Sequence, residues 1–329
     1  MTSAPSPAPA PPPRAVFISW TRYTTRSVSF AEAVGAEWVF FHQGQAWGPA
    51  KYLVRGWLTV LYLLRQRPRV VYAMNPPFFL PILAWIYCTL FGAKLVLDSH
   101  TAAFDSPKWT WLMGLHRFAA RRAVVSTVTN AELARRVEAM GAHALVVTDI
   151  PYTMPEGHYP LEPGVFHVVF VCTYASDEPV LEVMDAARGI EGLHIHVTGN
   201  SKKATAEMHA RRPPNVTFTG FLSTEQYGGL MRGADAVLVL TTRDHTMQRG
   251  GSEAVTVGKP LITSNWQMLR DTFPLGTIHV DNTTAQIEAA LRRVMAEAPT
   301  LREGIAQLAT QRQTRWNTAH TELRHLLGA

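Results

Sequence analysis

Cysteine is nearly absent from this chain: Cys88 and Cys172 are the only two in 329 residues, and each lies inside an apolar stretch. That leaves no material for a disulfide framework or a thiolate metal site and points to a reducing compartment. The 13 histidines are scattered without zinc-ligand spacing, so no metal is expected. No Gly-x-Gly-x-x-Gly follows the first candidate strand, where "ISWTRYTTRS" (Ile18–Ser27) stands instead, and this counts against a dehydrogenase. The start, "MTSAPSPAPAPPP", has neither the basic nor the apolar region of a signal peptide. Its Pro and Ala content predicts an extended, disordered leader over residues 1–13. A clean membrane-spanning run is missing too. The nearest, "FFLPILAWIYCTLFGAKLVL" (Phe78–Leu97), is interrupted by Pro81, Gly92 and Lys94 and reads as a buried helix, a turn and a strand.

What is present is enough apolar material, 47% of residues, for two ordinary domains. The net charge of +6 comes from Arg-rich runs such as Arg65–Arg69, Arg117–Arg122 and Arg135–Arg136 rather than from a Lys-rich tail. An excess of that sign suits an anionic partner: a nucleotide diphosphate, an acidic lipid or nucleic acid. Because the arginines are dispersed over helical segments with no recognisable module, nucleic acid is not expected among the partners.

From Ala15 onward short β-branched runs alternate with helical ones, which predicts an α/β fold with parallel sheets. Strands are expected at Ala15–Ser19, Trp38–Phe41, Val70–Ala73, Lys94–Asp98, Val124–Val128 and Ala144–Val147, with helices at Tyr52–Arg65, Phe78–Phe91, Pro107–Arg122 and Ala131–Met140. "DIPYTMPEGHYPLEPG" (Asp149–Gly164) then breaks all periodicity with four prolines and two glycines. A second α/β pattern follows, and from Thr284 the rest reads as helix. The expected organisation is a leader, a Rossmann-like domain over 14–150, a linker over 151–164, a second Rossmann-like domain over 165–307, and a helix over 308–329 returning to the first domain. Two such domains would face each other across a cleft, with functional residues just past the strands.

That filter selects "TTRDHTMQRGGSEAVTVGKP", which follows the strand Ala236–Leu240. With Ser252 as N-cap, the first-turn N–H groups and the helix dipole would form an anion site. Gly250 and Gly251 would admit a diphosphate close to the backbone, Arg249 and Arg243 would supply counter-charge, and Glu253, at an exposed helix start, would accept from sugar or ribose hydroxyls. Ser252 and Glu253 could equally serve only as cap and first-turn residues. Thr173, Gly199 and Phe221, each just past a strand, and Tyr227 join this candidate set.

"PNVTFTGFLSTEQYGGLMRGADAVLVL" (Pro214–Leu240) followed by "SEAVTVGKPLITSN" resembles the donor-binding half of GT-B glycosyltransferases. The resemblance implies that Glu253 binds the donor ribose, that the turn at Gly220–Phe221 lies beside the base, and that Gly250 to Ser252 hold the diphosphate of a UDP- or GDP-linked sugar, with no further cofactor. The chain departs from the family pattern in two places: His245 stands where retaining members have a second Glu, and "CTYASDEP" (Cys172–Pro179) replaces the Gly-Arg…Lys phosphate clamp. "YAMNPPFFLPILAWIYCTLFGAKLVLDSH" is similar to the corresponding region of the chitobiosyl-diphosphodolichol β-mannosyltransferases, which are inverting enzymes with a membrane lipid-linked acceptor, and "CTYASDEP" resembles their hydroxyl-rich turn.

On that resemblance Asp98 and His100 are the leading catalytic candidates, one to act as base and the other to orient it, with Asp105 as a third. The alternative is that Asp98 caps a turn and His100 is a loop residue. Thr21, Arg22, Thr25 and Arg26 suit an acceptor's polar or phosphate end. Trp47, Tyr52, Trp57, Tyr62, Arg55, Arg65 and Arg67 flank an apolar helix and either dock the protein peripherally on an anionic membrane or, for the aromatics, fill a core. The sequence thus predicts a cytoplasmic hexosyltransferase of polysaccharide biosynthesis, associated with the inner face of a membrane and acting by inversion on a lipid-linked or other glycan acceptor. Two alternatives stay open: a GT-B-fold nucleotide-sugar epimerase, and a non-catalytic sugar-nucleotide-binding partner of a membrane synthase.

Overall fold

The computed structural model describes residues 15–21, 25–42, 50–244 and 246–328. The chain divides into two compact units, one made of residues up to Pro151 and from Gln313 onward, the other of Tyr152–Arg312. The Pro/Ala-rich leader, Arg22, Trp47 and His245 lie outside the described residues, as does the side chain of Thr25.

The first unit runs β1 (Ala15–Ser19), α1 (Thr25–Ala33), β2 (Ala36–Phe40), α2 (Ala50–Gln66), β3 (Val70–Asn75), α3 (Phe79–Phe91), β4 (Lys94–Ser99), α4 (Ala102–Asp105), α5 (Pro107–Thr110), α6 (Met113–Ala120), β5 (Val125–Val128), α7 (Ala131–Ala139) and β6 (Ala144–Val146). Its six strands are ordered β2-β1-β3-β4-β5-β6, with every pairing parallel. Continuous apolar strands such as "VVYAMN", buried at every position, fit a parallel sheet covered on both faces. Phe78–Leu97 does form a helix, a turn and a strand. Gly92 closes α3 in the left-handed conformation at φ 66°, which glycine adopts without a Cβ penalty. No helix among the described residues is long and apolar enough to cross a membrane.

One expected helix, Pro107–Arg122, is not continuous: it divides into α5 and α6, with Leu112 between them outside the helical region (φ −100°, ψ 17°). Ahead of it Ser106 is extended (φ −78°, ψ 121°), because proline disfavours the helical region for the residue before it, and this separates α5 from α4.

The second unit runs β7 (Phe166–Phe170), α8 (Val180–Ala187), β8 (Leu193–Thr198), α9 (Ala206–Arg211), β9 (Val216–Gly220), α10 (Thr224–Gly233), β10 (Ala236–Val239), α11 (Arg249–Thr256), β11 (Leu261–Ser264), α12 (Gln267–Thr272), β12 (Thr277–Val280) and the start of α13 (Thr284–Leu326). Its strand order is β12-β11-β10-β7-β8-β9, again all parallel. The order reverses between β7 and β10, so their carboxyl ends form the crevice where an open α/β sheet binds ligands. In the first unit the reversal lies between β1 and β3. The last turns of α13 pack Trp316, Ala319 and Leu323 into the first unit's core, with the Trp316 ring edge-on to Phe30 at 6.3 Å.

Candidate functional site

At the carboxyl edge of the first sheet, β4 ends in Asp98-Ser99-His100. Asp98 is fully buried. Its Oδ2 accepts from His100 Nε2 at 2.8 Å, and its Oδ1 accepts from the Thr127 hydroxyl at 3.0 Å. Arg26, on α1, brings Nη2 to 3.6 Å from Oδ1 and also donates to the Val147 carbonyl at 3.2 Å. Burial alone would raise the Asp98 pKa, but His100, then Arg26 and the Thr127 hydrogen bond, hold it down to about 2. Asp98 is therefore a carboxylate at neutral pH and too weak a base to take a hydroxyl proton. It fixes the imidazole with its proton on Nε2 and leaves Nδ1 as the basic ring atom. The His100 side chain is 22% exposed. The pair thus joins a buried carboxylate to a partly exposed imidazole.

Asp105 is drawn away from this pair, because Arg136 donates to it at 2.7 Å on an exposed surface. Thr21 turns toward the neighbouring strand instead: its hydroxyl lies 2.9 Å from Ser19 Oγ and 3.4 Å from the Met74 sulfur. A set of buried polar groups that the sequence did not reveal lies behind Asp98. Asn75 Nδ2 donates to Ser99 Oγ at 3.4 Å, and Ser99 Oγ is 3.4 Å from His116 Nε2. His116 is stacked on Phe78, and burial, with Arg136 adding to it, lowers its pKa to about 4. It is an interior neutral imidazole.

In the second unit, α11 starts four residues earlier than expected, with Gln248 rather than Ser252 as N-cap. Ser252 is thus inside the helix, where its hydroxyl meets Arg312 at 3.5 Å. Glu253 is not at an exposed start either. It is only 6% exposed, its Oε2 accepting from the Tyr227 hydroxyl at 2.6 Å and its Oε1 from Arg249 Nε at 2.7 Å. Burial, and then the Glu253 carboxylate, push the Tyr227 phenol well above its usual pKa. Arg249 is therefore already half of an ion pair, although its side chain stays 57% exposed and also lies over the Tyr152 ring. Each Glu253 oxygen keeps a further lone pair for a ligand hydroxyl.

Gly250 and Gly251 are given to packing. A Cβ on Gly250 would lie 2.9 Å from Val171 and Val239, and one on Gly251 would lie 2.7 Å from the Phe273 ring. Gly199 is likewise structural: at φ +96° its Cβ would fall 2.2 Å from the Cys172 carbonyl oxygen. Phe221, just past β9, is 85% exposed, so its ring is open to a planar partner.

The crevice between β7 and β10 is lined by "CTYASDEP". The Glu178 carboxylate accepts from the backbone N–H of Thr173 at 2.8 Å and of Ala175 at 2.9 Å, so the loop holds an internal anion. Asp177 ties it to β10, accepting from the Thr241 hydroxyl at 2.8 Å and lying 3.7 Å from Arg243. Thr241 is in turn held by Ser264, whose Oγ accepts its N–H at 2.8 Å, and by Trp266 and Asn282, which both donate to its carbonyl. Asp177, Glu178, Thr241 and Ser264 were not selected from the sequence. The legible signals were the turn "CTYASDEP" for Asp177 and Glu178 and, for Thr241, its place just past β10; Ser264 ends β11.

Residues 178–328 match a family model described as glycosyl transferase-like. No curated protein sequence matches the chain. Among solved structures, HepE of Anabaena, crystallised with UDP and glucose, is similar at 14% identity and a TM-score of 0.66, covering 96% of this chain and 99% of that one. A sucrose-phosphate synthase of Thermosynechococcus elongatus follows at 13% identity and a TM-score of 0.61, with 96% and 98% covered. A Listeria monocytogenes protein assigned as a UDP-N-acetylglucosamine 2-epimerase gives 11% and 0.61, with 89% and 90% covered. Two Rossmann-like α/β units, each on a six-stranded parallel sheet, together with these matches over nearly the whole chain, identify the fold as that of the GT-B glycosyltransferases.

Proposed function

We propose that the chain is a glycosyltransferase that moves a hexosyl group from a nucleotide diphosphate donor to a lipid-linked or other glycan acceptor with inversion, on the cytoplasmic side of a membrane. The observation that carries this reading is the buried Asp98 locked to His100 at 2.8 Å, in a chain whose second half matches a glycosyl transferase-like family. An inverting transfer needs one base, and an oriented imidazole at a sheet's carboxyl edge supplies it. His100 Nδ1 takes the acceptor hydroxyl's proton as that oxygen bonds to the anomeric carbon. The bond to the diphosphate breaks, and the nucleoside diphosphate leaves with the electron pair. Asp98, ionised throughout, stabilises the imidazolium.

On the donor side, Glu253 would accept from ribose hydroxyls through its remaining lone pairs, and Phe221 would stack on the base. Arg249 and the first turn of α11 would meet the charge growing on the leaving diphosphate. The UDP and UDP-glucose bound by HepE make UDP-sugars the first donors to try, ahead of GDP-sugars. One comparison, the epimerase-assigned structure, favours a second reading, in which the sugar nucleotide is isomerised without an acceptor.

Incubation with a panel of labelled UDP- and GDP-sugars separates the readings. Slow release of free sugar and nucleoside diphosphate, abolished in Asp98→Asn, is the expected result. Conversion to an epimeric sugar nucleotide would establish the second reading. Tight donor binding with no turnover would leave a non-catalytic role, and no binding of any sugar nucleotide would refute the proposal.

A further inference from the structure

Large exposed apolar side chains gather on two neighbouring helices of the first unit. On α2 these are Leu53, Val54, Trp57, Leu61 and Leu64, and on α3 they are Ile86, Leu90 and Phe91. The spacing 53, 57, 61, 64 is one face of a helix. The opposite face, Gly56, Thr59 and Leu63, is buried. There the Trp20 indole donates to the Thr59 hydroxyl at 2.8 Å, and Gly56 sits so close to Leu83 of α3 that a Cβ would lie 3.2 Å from it. Thus α2 already has its core contact and still presents a second apolar stripe, with Leu53 78% and Trp57 65% exposed. Of the aromatics expected at this surface, Tyr52 and Tyr62 instead pack against the core, and Arg55 is turned inward to the Trp20 carbonyl at 2.8 Å.

Charge around the stripe is of one sign. Between Glu37 and Asp98 the chain has no acidic residue, and there is none between Asp105 and Glu132. Arg65, Arg67 and Arg69 at the end of α2, and Arg117, Arg121 and Arg122 on and after α6, which packs on α3 through Phe118 against Trp85, are all exposed. In a two-fold contact with a second copy, the patch would meet itself and set arginine against arginine with no carboxylate to answer. A leucine and tryptophan stripe bordered by arginines instead fits a lipid–water boundary whose headgroups are anionic.

We propose that the exposed face of α2 and α3 docks the protein on an anionic lipid bilayer, the leucines and Trp57 entering the headgroup–acyl boundary and Arg65, Arg67 and Arg69 meeting headgroup phosphates. This stands independently of the reaction assigned above.

The test uses the full chain and flotation with vesicles of phosphatidylcholine, with or without phosphatidylglycerol. Binding should require the anionic lipid and fall by about 10-fold or more in high salt, as expected for several headgroup contacts near a charged surface. The doubly substituted Leu53→Ser/Trp57→Ser protein, altered only at exposed positions, should keep its melting temperature and lose binding by at least about 10-fold. Arg65→Glu/Arg69→Glu should weaken binding to anionic vesicles and flatten its salt dependence. Equal binding to both vesicle types, no binding to either, or unchanged binding by both variants would overturn the proposal. So would a wild-type dimer in sedimentation that Leu53→Ser/Trp57→Ser converts to monomer without any vesicle binding, since the face would then belong to a second copy.

Discussion

Glu253→Ala should destabilise the second unit measurably, independently of any effect on donor use. The carboxylate bridges α10 and α11, accepting from Tyr227 at 2.6 Å and from Arg249 at 2.7 Å. Truncation leaves the buried Tyr227 hydroxyl without its acceptor, which costs about 1–3 kcal/mol. The Arg249 pair adds little, roughly 0.5 kcal/mol, because the guanidinium is mostly exposed and solvent-screened. A total near 2–3 kcal/mol in a unit of this size corresponds to a melting shift of about 4–12 °C. Glu253→Gln keeps an acceptor for Tyr227 and should cost about 1 kcal/mol. The same holds for Tyr227→Phe, which removes the donor and leaves the carboxylate with Arg249. If the bridge is real, Tyr227→Phe combined with Glu253→Ala will be less destabilising than the sum of the two by about 1 kcal/mol. Thermal and urea denaturation of the four proteins, with donor binding by calorimetry, measures this. Additive effects, or a Glu253→Ala protein with an unchanged melting temperature, would show that the buried bridge is not what holds these helices. Glu253→Gln then serves as the ribose test: a loss of donor affinity of about 10-fold with the fold intact is expected, and unchanged affinity would end that assignment.

Asp98→Asn should leave donor binding near normal and lower transfer about 10²–10⁴-fold, because an amide no longer holds the proton on His100 Nε2. His100→Ala should lose as much and the double variant no more; full activity in both would remove the pair from the mechanism. Stability should fall with acid through two interior imidazoles. Burial first, then His194 and His167, push His196 down to about 4, and burial with Arg136 does the same for His116. Between about pH 6.5 and 4 the unfolded chain therefore binds more protons than the folded one, so the contribution is complete above that window and shrinks as pH falls, by about 1.4 kcal/mol per unit and per histidine. Equal urea midpoints at pH 7 and pH 5 would refute this. Gly199→Ala should destabilise by about 2 kcal/mol or more through its left-handed backbone and the clash with the Cys172 carbonyl; a neutral melting temperature would contradict the close approach.

Much of the fold was legible because parallel strands buried on both faces leave a plain mark. "VVYAMN" and "KLVLD" read as strands from β-branched and apolar content alone, and Gly92 between α3 and β4 marked the helix end. The division of 107–122 was not visible, since its apolar residues run on through Trp111 and Leu112, where the chain leaves the helix with no proline to signal it. The Asp98–His100 pair was legible for a local reason: residues i and i+2 at a strand's end share one side of the edge, so an Asp-x-His there can close on itself. The Arg26 and Thr127 contacts that set the charge of Asp98 come from α1 and β5. No spacing in the chain announces them, since they arise only when the fold brings α1 and β5 up to β4.

The misplacement of the start of α11 has a physical cause of its own. Two glycines ahead of a serine look like a loop and a cap, because glycine in a helix interior costs about 1 kcal/mol against alanine and serine is a favoured N-cap. In the structure Gly250 and Gly251 are the first-turn residues pressed against Val171, Val239 and Phe273, where any Cβ would come within 3 Å. The propensity cost is outweighed because no larger residue fits between the helix and the sheet. A ligand's diphosphate and a neighbouring side chain impose the same demand on the backbone, the absence of a Cβ, so a Gly-Gly pair after a strand cannot by itself tell a phosphate site from close packing. What distinguishes them is which side of the helix the missing side chain would occupy. Here that side is the interior, so packing accounts for both glycines, and under the proposed function the charge of a diphosphate would fall to Arg249 and the helix dipole rather than to a glycine-lined approach.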